Sequence, residues 1–150
     1  MSTVKLRKVN PDDIYLLFNW ANEQSVRENS FSKNPISWED HNKWFHDKVT
    51  SKDCKMFILE ANNNEVGQVR FDHVNDQYWL IDYSIDNKFR RNGYGLKIVK
   101  YGIRTFDVPV KFMAKVKNNN IASIKVFNRL KFSMAPNDTK NVVFTLSLES

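Results

Sequence analysis

Three strand-like segments follow one another in the middle of the chain, with only turn-sized gaps between them. Runs rich in apolar and aromatic residues, bounded by polar turns, predict strands over 56–61, 66–73 and 78–86. An Asn-rich turn and a second short polar turn separate them. Parallel neighbours need a crossover of about a dozen residues or more, so strands this close in sequence pair antiparallel. The sequence therefore predicts an antiparallel meander at the centre of the fold.

Helices and further strands are predicted on both sides of this meander. Asn10 and Pro11 mark the start of the first helix, and Ser37 with Asp40 three residues later marks the start of the second. A polar stretch at 24–34 is expected to join these two helices. The whole order is that of an α+β fold with one sheet, and 1–150 is expected to form a single domain. The remaining predicted elements are strands at 4–7, 110–116, 132–134 and 141–148 and helices at 14–21, 38–50, 96–106 and 121–130.

The composition indicates a folded, soluble chain. Hydrophobic residues make up 41% of its 150 residues and aromatic residues 13%, which is too rich for a disordered chain. No apolar run approaches the ~20 residues of a membrane-spanning helix, and the first residues lack an apolar secretory segment. The one cysteine, Cys54, cannot form an internal disulfide. We therefore expect a cytoplasmic protein with no membrane partner.

The chain is basic, with 23 Lys and Arg against 17 Asp and Glu and a formal net charge of +6. This charge favours an anionic partner, although it also fits a solvated basic surface. Nucleic acid is one candidate, and such a binder would lose affinity steeply with added salt. The cations are spread along the chain, however, with no basic run and no zinc-finger spacing. We therefore expect no nucleic-acid partner, and the three histidines do not show the spacing of a metal site.

The segment Arg90-Arg91-Asn92-Gly93-Tyr94-Gly95 lies between a predicted strand and a predicted helix. It holds two of the four glycines in the chain. Glycines let backbone N–H groups approach a ligand closely, and a helix N-terminus adds free donors and the positive end of its dipole. With two arginines beside them, these donors suit a pyrophosphate. The alternative is an ordinary helix start with turn glycines and solvent-facing arginines.

Two segments resemble the coenzyme A-binding motifs of the GNAT N-acetyltransferase superfamily. Arg90-x-x-Gly93-x-Gly95 resembles its acetyl-coenzyme A signature, and the segment from Asn120 to Phe132 is similar to its second coenzyme A-binding segment. The element order matches the same family. The resemblance implies the GNAT fold: a single mixed, mostly antiparallel sheet with a splayed central strand pair and helices on both faces. It also implies an enzyme that uses acetyl-coenzyme A (acetyl-CoA) as the acetyl donor.

The N-terminal half resembles a narrower group within that family. Trp20-Ala21-Asn22, the following Arg27 and Phe31, Glu39-x-His41-x-x-Trp44-Phe45 and the segment 66–72 carry this likeness. They are similar to GNAT enzymes that acetylate amino sugars on nucleotide carriers in bacterial surface-sugar biosynthesis, such as that of pseudaminic acid. The resemblance implies an amino-sugar-nucleotide acceptor and leaves a homodimer open. The alternatives are an acetyltransferase of protein N-termini, of the ribosomal-protein type, and a non-catalytic module that binds acyl-coenzyme A.

The reaction needs a neutral amine, a polarised carbonyl and a thiolate that can leave. In the implied fold the pantetheine arm pairs with a splayed strand, matched here by 83–86. Asp82 is the first candidate for the general base, and it shares a strand face with Ser84. A backbone N–H near Tyr83 or Ser84 could stabilise the oxyanion. The other candidates for the base are Asp72, His73 and His46.

The residue expected beside the leaving thiolate departs from the family. The family commonly provides a tyrosine on the second coenzyme A helix, and the matching residue is Phe127, which has no hydroxyl. Either another acid serves or none is needed, and a thiol with a pKa near ~8.5 leaves readily as an anion. Lys131 is a second departure, since the family often has Gly there.

These arguments give three sets of candidate site residues. Asp82 and Ser84 are the candidate catalytic pair. The expected cofactor-binding residues are Tyr83, Ile85, Arg90, Arg91, Asn92, Gly93, Tyr94, Gly95, Asn120 and Phe127. The expected acceptor-binding residues are Asn22, Arg27, Phe31, His46 and Asp72, among which Arg27 is expected to hold a diphosphate.

Overall fold

The computed structural model describes residues 3–75 and 77–150. The strands are β1 (Val4–Lys8), β2 (Cys54–Ala61), β3 (Asn64–Val74), β4 (Tyr78–Ile85), β5 (Val110–Lys117), β6 (Ser133–Pro136) and β7 (Asn141–Leu148). The helices are α1 (Ile14–Ala21), α2 (Gln24–Asn29), α3 (Trp38–Val49), α4 (Tyr94–Ile103) and α5 (Ile121–Arg129). The order agrees with the sequence prediction except for α2, which lies in the polar stretch. Within the described residues, no helix is long and apolar enough to cross a membrane.

The strands form one sheet in the order β1-β2-β3-β4-β5-β7-β6. Neighbouring strands are antiparallel except β4 and β5, which run parallel. The β4–β5 pairing consists of Trp79 with Phe112 and Leu80 with Met113. Past Leu80 the two strands part, and β4 continues to pair with β3. The predicted mixed sheet with a splayed central pair is confirmed.

Helices cover both faces of this sheet. Alternate side chains of β2 enter two different cores, which explains why this strand is buried almost throughout. Met56 and Ile58 belong to the core beneath α1 and α3, together with Phe45 of α3. Phe57 belongs to the core on the opposite face, together with Ile98 of α4. The predicted arrangement of helices on both faces is therefore confirmed.

The first helix is anchored by a buried ion pair. Asn10 caps a 3₁₀ turn at Pro11–Asp13, and its side chain accepts a hydrogen bond from the Asp12 N–H at 2.9 Å. Asp13 is only 5% exposed, and its two oxygens accept hydrogen bonds from the Arg7 guanidinium at 2.8 and 2.9 Å. Burial opposes the charge on Asp13, but these bonds hold its pKa below the usual value. The pair therefore joins β1 to the start of α1.

Helix α2 was not predicted, because the contacts that hold it come from distant parts of the chain. A six-residue helix has too few internal hydrogen bonds to form alone. Arg90 donates a hydrogen bond to the carboxylate of Glu23, the N-cap of α2, at 2.8 Å. Lys117 of β5 donates to the backbone carbonyl of Glu28 at 3.1 Å. Both ends of α2 are thus fixed to elements that lie on the two sides of the splay.

The segments just after α4 and α5 depart from a plain helical pattern. The apolar spacing predicted a helix as far as Phe106, but α4 ends at Ile103 and the Phe106 ring packs edge-on against Phe71 in the core. After α5, Lys131 has a φ of 69°, in the left-handed region that glycine adopts without strain. The glycine common in the family at this position therefore reflects the conformation of the turn, which Lys131 adopts as well.

Replacing Arg7 with Met should lower the free energy of unfolding by about 2–3 kcal/mol, because the buried Asp13 carboxylate loses its partner. The Arg7 side chain is 26% exposed, which keeps the cost below that of a fully buried pair. Lys5→Met is the matched control on the same strand. Lys5 is 68% exposed and 3.6 Å from Glu60, so its loss should change the free energy by less than about 0.5 kcal/mol. Urea unfolding measures the free energy of unfolding of both variants. Equal decreases in the two would contradict a stabilising role for the Arg7–Asp13 ion pair.

Candidate active site

A cavity opens where β4 and β5 part. Its volume is about 1230 Å³, which exceeds the ~300–1,000 Å³ of a typical pocket for one small ligand. Residues 81–85 of β4 form one wall, and 114–117 of β5 form the facing wall. Residues from α2, α3 and the loop between them line one side, and residues from α5 and the loop before α4 line the other. The cavity therefore has room for two substrates.

The strand edges that face this cavity have no sheet partner among the described strands. Beyond the pairing of Leu80 with Met113, the backbone groups that β4 turns away from β3 are left without a ladder. The same holds for the edge of β5 that faces β4. Such an edge can receive an extended ligand in the manner of an added strand. Tyr83 and Ile85, which were predicted to contact the cofactor, lie in this open stretch.

The loop before α4 presents a helix N-terminus to the cavity. Arg91 and Gly93 have positive φ angles of 65° and 78°, and Gly93 is the N-cap of α4, where no capping side chain is present. The first N–H groups of α4 therefore have no partner from their own helix or from a cap. Arg91, Gly93, Tyr94 and Gly95 all line the cavity. The free N–H groups, the helix dipole and the Arg91 cation suit this end of the cavity to an anion.

The two glycines of this loop are required for different reasons. A Cβ on Gly95 would lie 3.3 Å from Cε2 of Tyr83 and 3.5 Å from Cγ2 of Val126, so a side chain there would press α4 away from β4 and α5. A Cβ on Gly93 would meet nothing within 4 Å. Gly93 is instead required by its φ of 78°, which side chains other than Asn and Asp rarely adopt.

Arg90 and Asn92 hold the loop together from within. Arg90 donates to the Ile85 carbonyl at 3.0 Å and to Glu23 at 2.8 Å, and it also contacts the Ser25 hydroxyl. Arg90 still lines the cavity, whereas Asn92 is not part of the wall. The Asn92 amide donates to the carbonyls of Phe89 and Arg90 at 3.0 and 3.1 Å. That these two residues also touch a cofactor stays a prediction.

Helix α5 forms the wall beside this loop. The Asn120 side chain caps it by accepting a hydrogen bond from the Ser123 N–H at 3.3 Å. The Tyr83 hydroxyl and the Ser123 hydroxyl share a hydrogen bond of 2.8 Å across the cavity wall. Burial raises the pKa of Tyr83 to about 12. Phe127 reaches the cavity with one edge but is only 1% exposed, and its ring stacks on Phe144 at 5.3 Å.

The charges along the cavity are divided between its two sides. The described carboxylates in its wall are Asp40 and Asp82, and both lie on the side of α3. The opposite side carries cations of α5 that were not predicted from the sequence, although their helical spacing turns them to the cavity. We call this side the cofactor half and the side with the carboxylates the acceptor half. The added cations of the cofactor half are Lys125 and Arg129, whereas Lys117 of β5 reaches α2 in the acceptor half.

Asp82 and Ser84 lie together in the acceptor half, as their shared strand face predicted. Gln68 of β3 donates to Asp82 at 3.3 Å and to Ser84 at 3.2 Å, and so joins the two side chains. Arg70 of β3 is paired with Asp82 in the strand register, and its Nη1 lies 3.7 Å from Oδ2 of Asp82. Asp82 remains 56% exposed and open to the cavity. Gln68 and Arg70 were not among the predicted site residues.

Three predicted acceptor-binding residues lie around the loop after α2. Phe31 is 63% exposed and lines the cavity. Arg27 also lines it, but its guanidinium donates to the carbonyls of Ala21, Ser32 and Asn34 and to the Ser30 hydroxyl at 2.7–3.3 Å. Asn22 is outside the wall and bonds both the N–H and the carbonyl of Ile36. Arg27 and Asn22 therefore shape this loop, and acceptor contact by either one stays a prediction.

The remaining candidates lie outside the cavity wall. Asp72 accepts hydrogen bonds from Lys48 at 2.9 Å and from Arg70 at 2.8 Å. His46 is exposed near the end of α3. His73, the other candidate for the base, stacks on Trp79 with ring centroids 4.7 Å apart. None of the three reaches the space between β4 and β5, which leaves Asp82 as the best-placed candidate for the base.

A buried histidine does line the acceptor half. Nε2 of His41 donates a hydrogen bond to the Ile14 carbonyl at 2.8 Å, and the ring is 2% exposed. Burial lowers the pKa of His41, so the neutral form is favoured. Its sequence signal, Glu39-x-His41-x-x-Trp44, was noted only as part of the resemblance. The ring packs between the aromatic side chains of Phe18 and Trp44.

Residues 3–133 match the model of the acetyltransferase (GNAT) domain family, and the protein belongs to this family. An uncharacterized protein of Methanocaldococcus jannaschii is 24% identical over 146 residues, which are 93% of this chain and 30% of that protein. The chain thus spans less than a third of the length of this relative.

Two solved structures share the fold. The spermidine N-acetyltransferase from Vibrio cholerae, in complex with CoA and spermine, superposes with a TM-score of 0.83 at 13% identity and covers 96% of this chain and 95% of its own. A ribosomal L7/L12 alpha-N-protein acetyltransferase in complex with CoA superposes with a TM-score of 0.78 at 16% identity, and the match covers 98% of this chain and 95% of that one. Family membership confirms the predicted GNAT fold and shows an acetyltransferase domain, and both of these neighbouring structures contain CoA.

Gly95→Val should raise the KM for acetyl-CoA by at least about tenfold, because the side chain would collide with Tyr83 and displace the N-terminus of α4. Gly93→Val should do the same through backbone strain. Gly93→Asn is the matched control, since Asn tolerates the left-handed conformation, and it should change the KM by less than about threefold. Steady-state kinetics with thermal unfolding measure the effects. An unchanged KM in both Val variants would rule out this loop as the cofactor site.

Proposed function

We propose that this protein transfers an acetyl group from acetyl-CoA to the amine of an amino-sugar nucleotide. The division of charge within one large cavity carries the proposal. Its cofactor half has a free helix N-terminus and cations, which suit the phosphates of acetyl-CoA. Its acceptor half has Asp82 in a wall of polar and aromatic side chains, which suits a polar amine.

The cofactor is proposed to lie along the splay. Its pyrophosphate meets the N–H groups at the start of α4 and the Arg91 guanidinium. Its pantetheine amides pair with the open edge of β4 at 81–85. This places the thioester near the point where β4 and β5 part, between the two halves of the cavity. The other phosphate of the cofactor then falls among the cations of α5, Lys125 and Arg129.

The chemistry requires one proton transfer on the acceptor side. Asp82 takes a proton from the acceptor amine, and the nitrogen lone pair attacks the thioester carbonyl carbon. A backbone N–H near Tyr83 or Ser84 stabilises the oxyanion, which is typically worth about 10²–10³ in rate. When the carbonyl re-forms, the C–S bond breaks and its electron pair leaves with the thiolate. The products are the N-acetylated acceptor and coenzyme A.

The acceptor half favours a sugar nucleotide over a polyamine. The Vibrio cholerae protein is named for spermidine, a polycation that needs several carboxylates, but the acceptor half offers Asp40 and Asp82 beside Arg27 and Arg70. Exposed Phe31 is available to stack on a nucleobase. Sugar nucleotides and acetyl-CoA are cytoplasmic metabolites, so we expect the protein to act there, and a homodimer stays a prediction.

An acceptor panel tests this function. Purified protein and acetyl-CoA are incubated with a uridine diphosphate-linked 4-amino-4,6-dideoxy sugar, with ribosomal-protein N-terminal peptides and with spermidine, and mass spectrometry detects the products. We expect the sugar nucleotide to gain one acetyl group with a kcat/KM at least about 10²-fold above the others. Acetylation of the peptides alone would overturn the proposal. Tight acetyl-CoA binding without turnover on any acceptor would instead identify a non-catalytic module.

Asp82→Asn should lower kcat by about 10²-fold or more and flatten its rise with pH, because the amide cannot accept the proton of the amine. The KM for acetyl-CoA should change little, since the cofactor half lies on the other side of β4. Asp40→Asn is the matched control, as it removes the second carboxylate of the acceptor half. It should change kcat by less than about tenfold. Equal losses in the two variants would indicate a general charge effect and contradict the role of Asp82 as base.

A further inference from the structure

Arg70 has hydrogen-bond donors that the protein does not use. A guanidinium carries five N–H groups. The Nε–H of Arg70 donates a hydrogen bond to Oδ2 of Asp72 at 2.8 Å. The four N–H groups on Nη1 and Nη2 have no hydrogen-bond acceptor within residues 3–75 and 77–150, since Oδ2 of Asp82 lies 3.7 Å from Nη1. The side chain is only 25% exposed and lines the acceptor half. These donors are open to the cavity rather than buried without a partner, so an acceptor oxygen of a bound ligand can reach them.

The position of Arg70 is rigid. Its strand is central, with β2 on one side and β4 on the other. Asp72 accepts a hydrogen bond from Nε of Arg70, and it accepts another from Nζ of Lys48 at 2.9 Å. The Trp44 ring lies 5.1 Å from Cζ of Arg70, within cation–π range. The guanidinium is therefore held in place with its outer edge toward the cavity, as a preorganised binding group requires.

The charges around Arg70 change during the proposed reaction. Lys48 and Arg70 are balanced by Asp72 and Asp82, so the cluster is neutral while Asp82 is ionised. When Asp82 takes the amine proton, one positive charge is left over. An anionic group on the acceptor, bound to the outer edge of Arg70, would restore the balance in this partly buried place.

The other arginines near the acceptor are already engaged. Arg27 donates hydrogen bonds to backbone carbonyls and to the Ser30 hydroxyl. Arg90 donates hydrogen bonds to Glu23, Ser25 and the Ile85 carbonyl. Arg70 differs from both because its two terminal nitrogens, Nη1 and Nη2, make no hydrogen bond to the described residues and the side chain lines the cavity.

We propose that Arg70 binds an anionic oxygen, phosphate or carboxylate, of the acceptor while Asp82 receives the proton of its amine. The acceptor is then an amine that carries its own anion. With Nη1 and Oδ2 3.7 Å apart and hydrogen bonds of roughly 2.8 Å on each side, the amine and the anion lie roughly 4–9 Å apart. A nucleotide amino sugar and a γ-amino acid such as 4-aminobutyrate both satisfy this description. This assignment rests on the proposed function, because it takes from it that the acceptor amine reacts beside Asp82.

Matched acceptor pairs test this assignment. The first pair is the uridine diphosphate-linked amino sugar and its uncharged methyl glycoside, and the second is 4-aminobutyrate and its amide. In the parent protein we expect the anionic member of an accepted pair to have at least about 30-fold higher kcat/KM. Arg70→Gln should reduce this preference to below about threefold. Arg70→Lys, which keeps the charge but not the fork, should give an intermediate preference.

Lys43→Met is the matched control. It removes an exposed cation of α3 that is not part of the cavity wall and does not contact the charges around Arg70. It should keep the preference within about threefold of the parent. Calorimetric titration of the coenzyme A-bound proteins with uridine diphosphate gives a readout that needs no turnover. We expect Arg70→Gln to weaken this binding at least about tenfold and Lys43→Met to leave it within about threefold.

The outcomes separate this inference from the proposed function. If amino acids but no sugar nucleotides react, with a preference that depends on Arg70, the assignment of Arg70 holds and the sugar-nucleotide acceptor is wrong. If the sugar nucleotide reacts and its preference survives in Arg70→Gln, the assignment of Arg70 is overturned while the function stands. A parent protein that shows no preference also overturns it. So does uridine diphosphate binding that Arg70→Gln leaves unchanged in a protein that acetylates the sugar nucleotide.

Discussion

The parallel pairing of β4 with β5 ends after two residue pairs, and the rest of the active site depends on this early end. Each strand keeps an antiparallel partner on its other side, so both stay in the sheet when they part. The backbone groups between them need hydrogen-bond partners, which a ligand or water must supply. An unpaired edge of this kind on the outside of a protein invites association with other chains. Here helices on both faces protect it, and it becomes a binding site.

Strand β4 divides the chemistry between the two faces of the sheet. Tyr83 turns toward Ser123 of α5, on the side of the cofactor loop, while Asp82 turns toward Gln68 of β3. Neighbouring residues on one strand thus face the two halves of the cavity. Arg90 then connects the halves, because one side chain holds both the loop before α4 and Glu23 at the start of α2. A shift of the loop before α4 would therefore also move the start of α2, because Arg90 is bonded to both.

Local patterns in the sequence predicted the faces of β4, because side chains alternate along any strand whatever its neighbours are. They could not place Gln68 or Arg70 beside Asp82, since that depends on the register between β3 and β4, and a slip of one residue would turn the whole face away. The loop before α4 was found because its glycines and arginines are contiguous. Helix α2 and the use of the Arg27 donors were missed because they depend on contacts that exist only in the folded chain.

The leaving thiolate receives no proton from Phe127 or Tyr83. Phe127 offers no hydroxyl, and the pKa of the neighbouring Tyr83 is raised to about 12 by burial. Moving a proton from such a group to a thiolate with a pKa near ~8.5 would cross about 3.5 pKa units, or roughly 5 kcal/mol. A thiol with a pKa this low leaves readily as the anion, so the proposed transfer needs no acid at this position. Phe127 therefore packs in the core, where its ring stacks on that of Phe144.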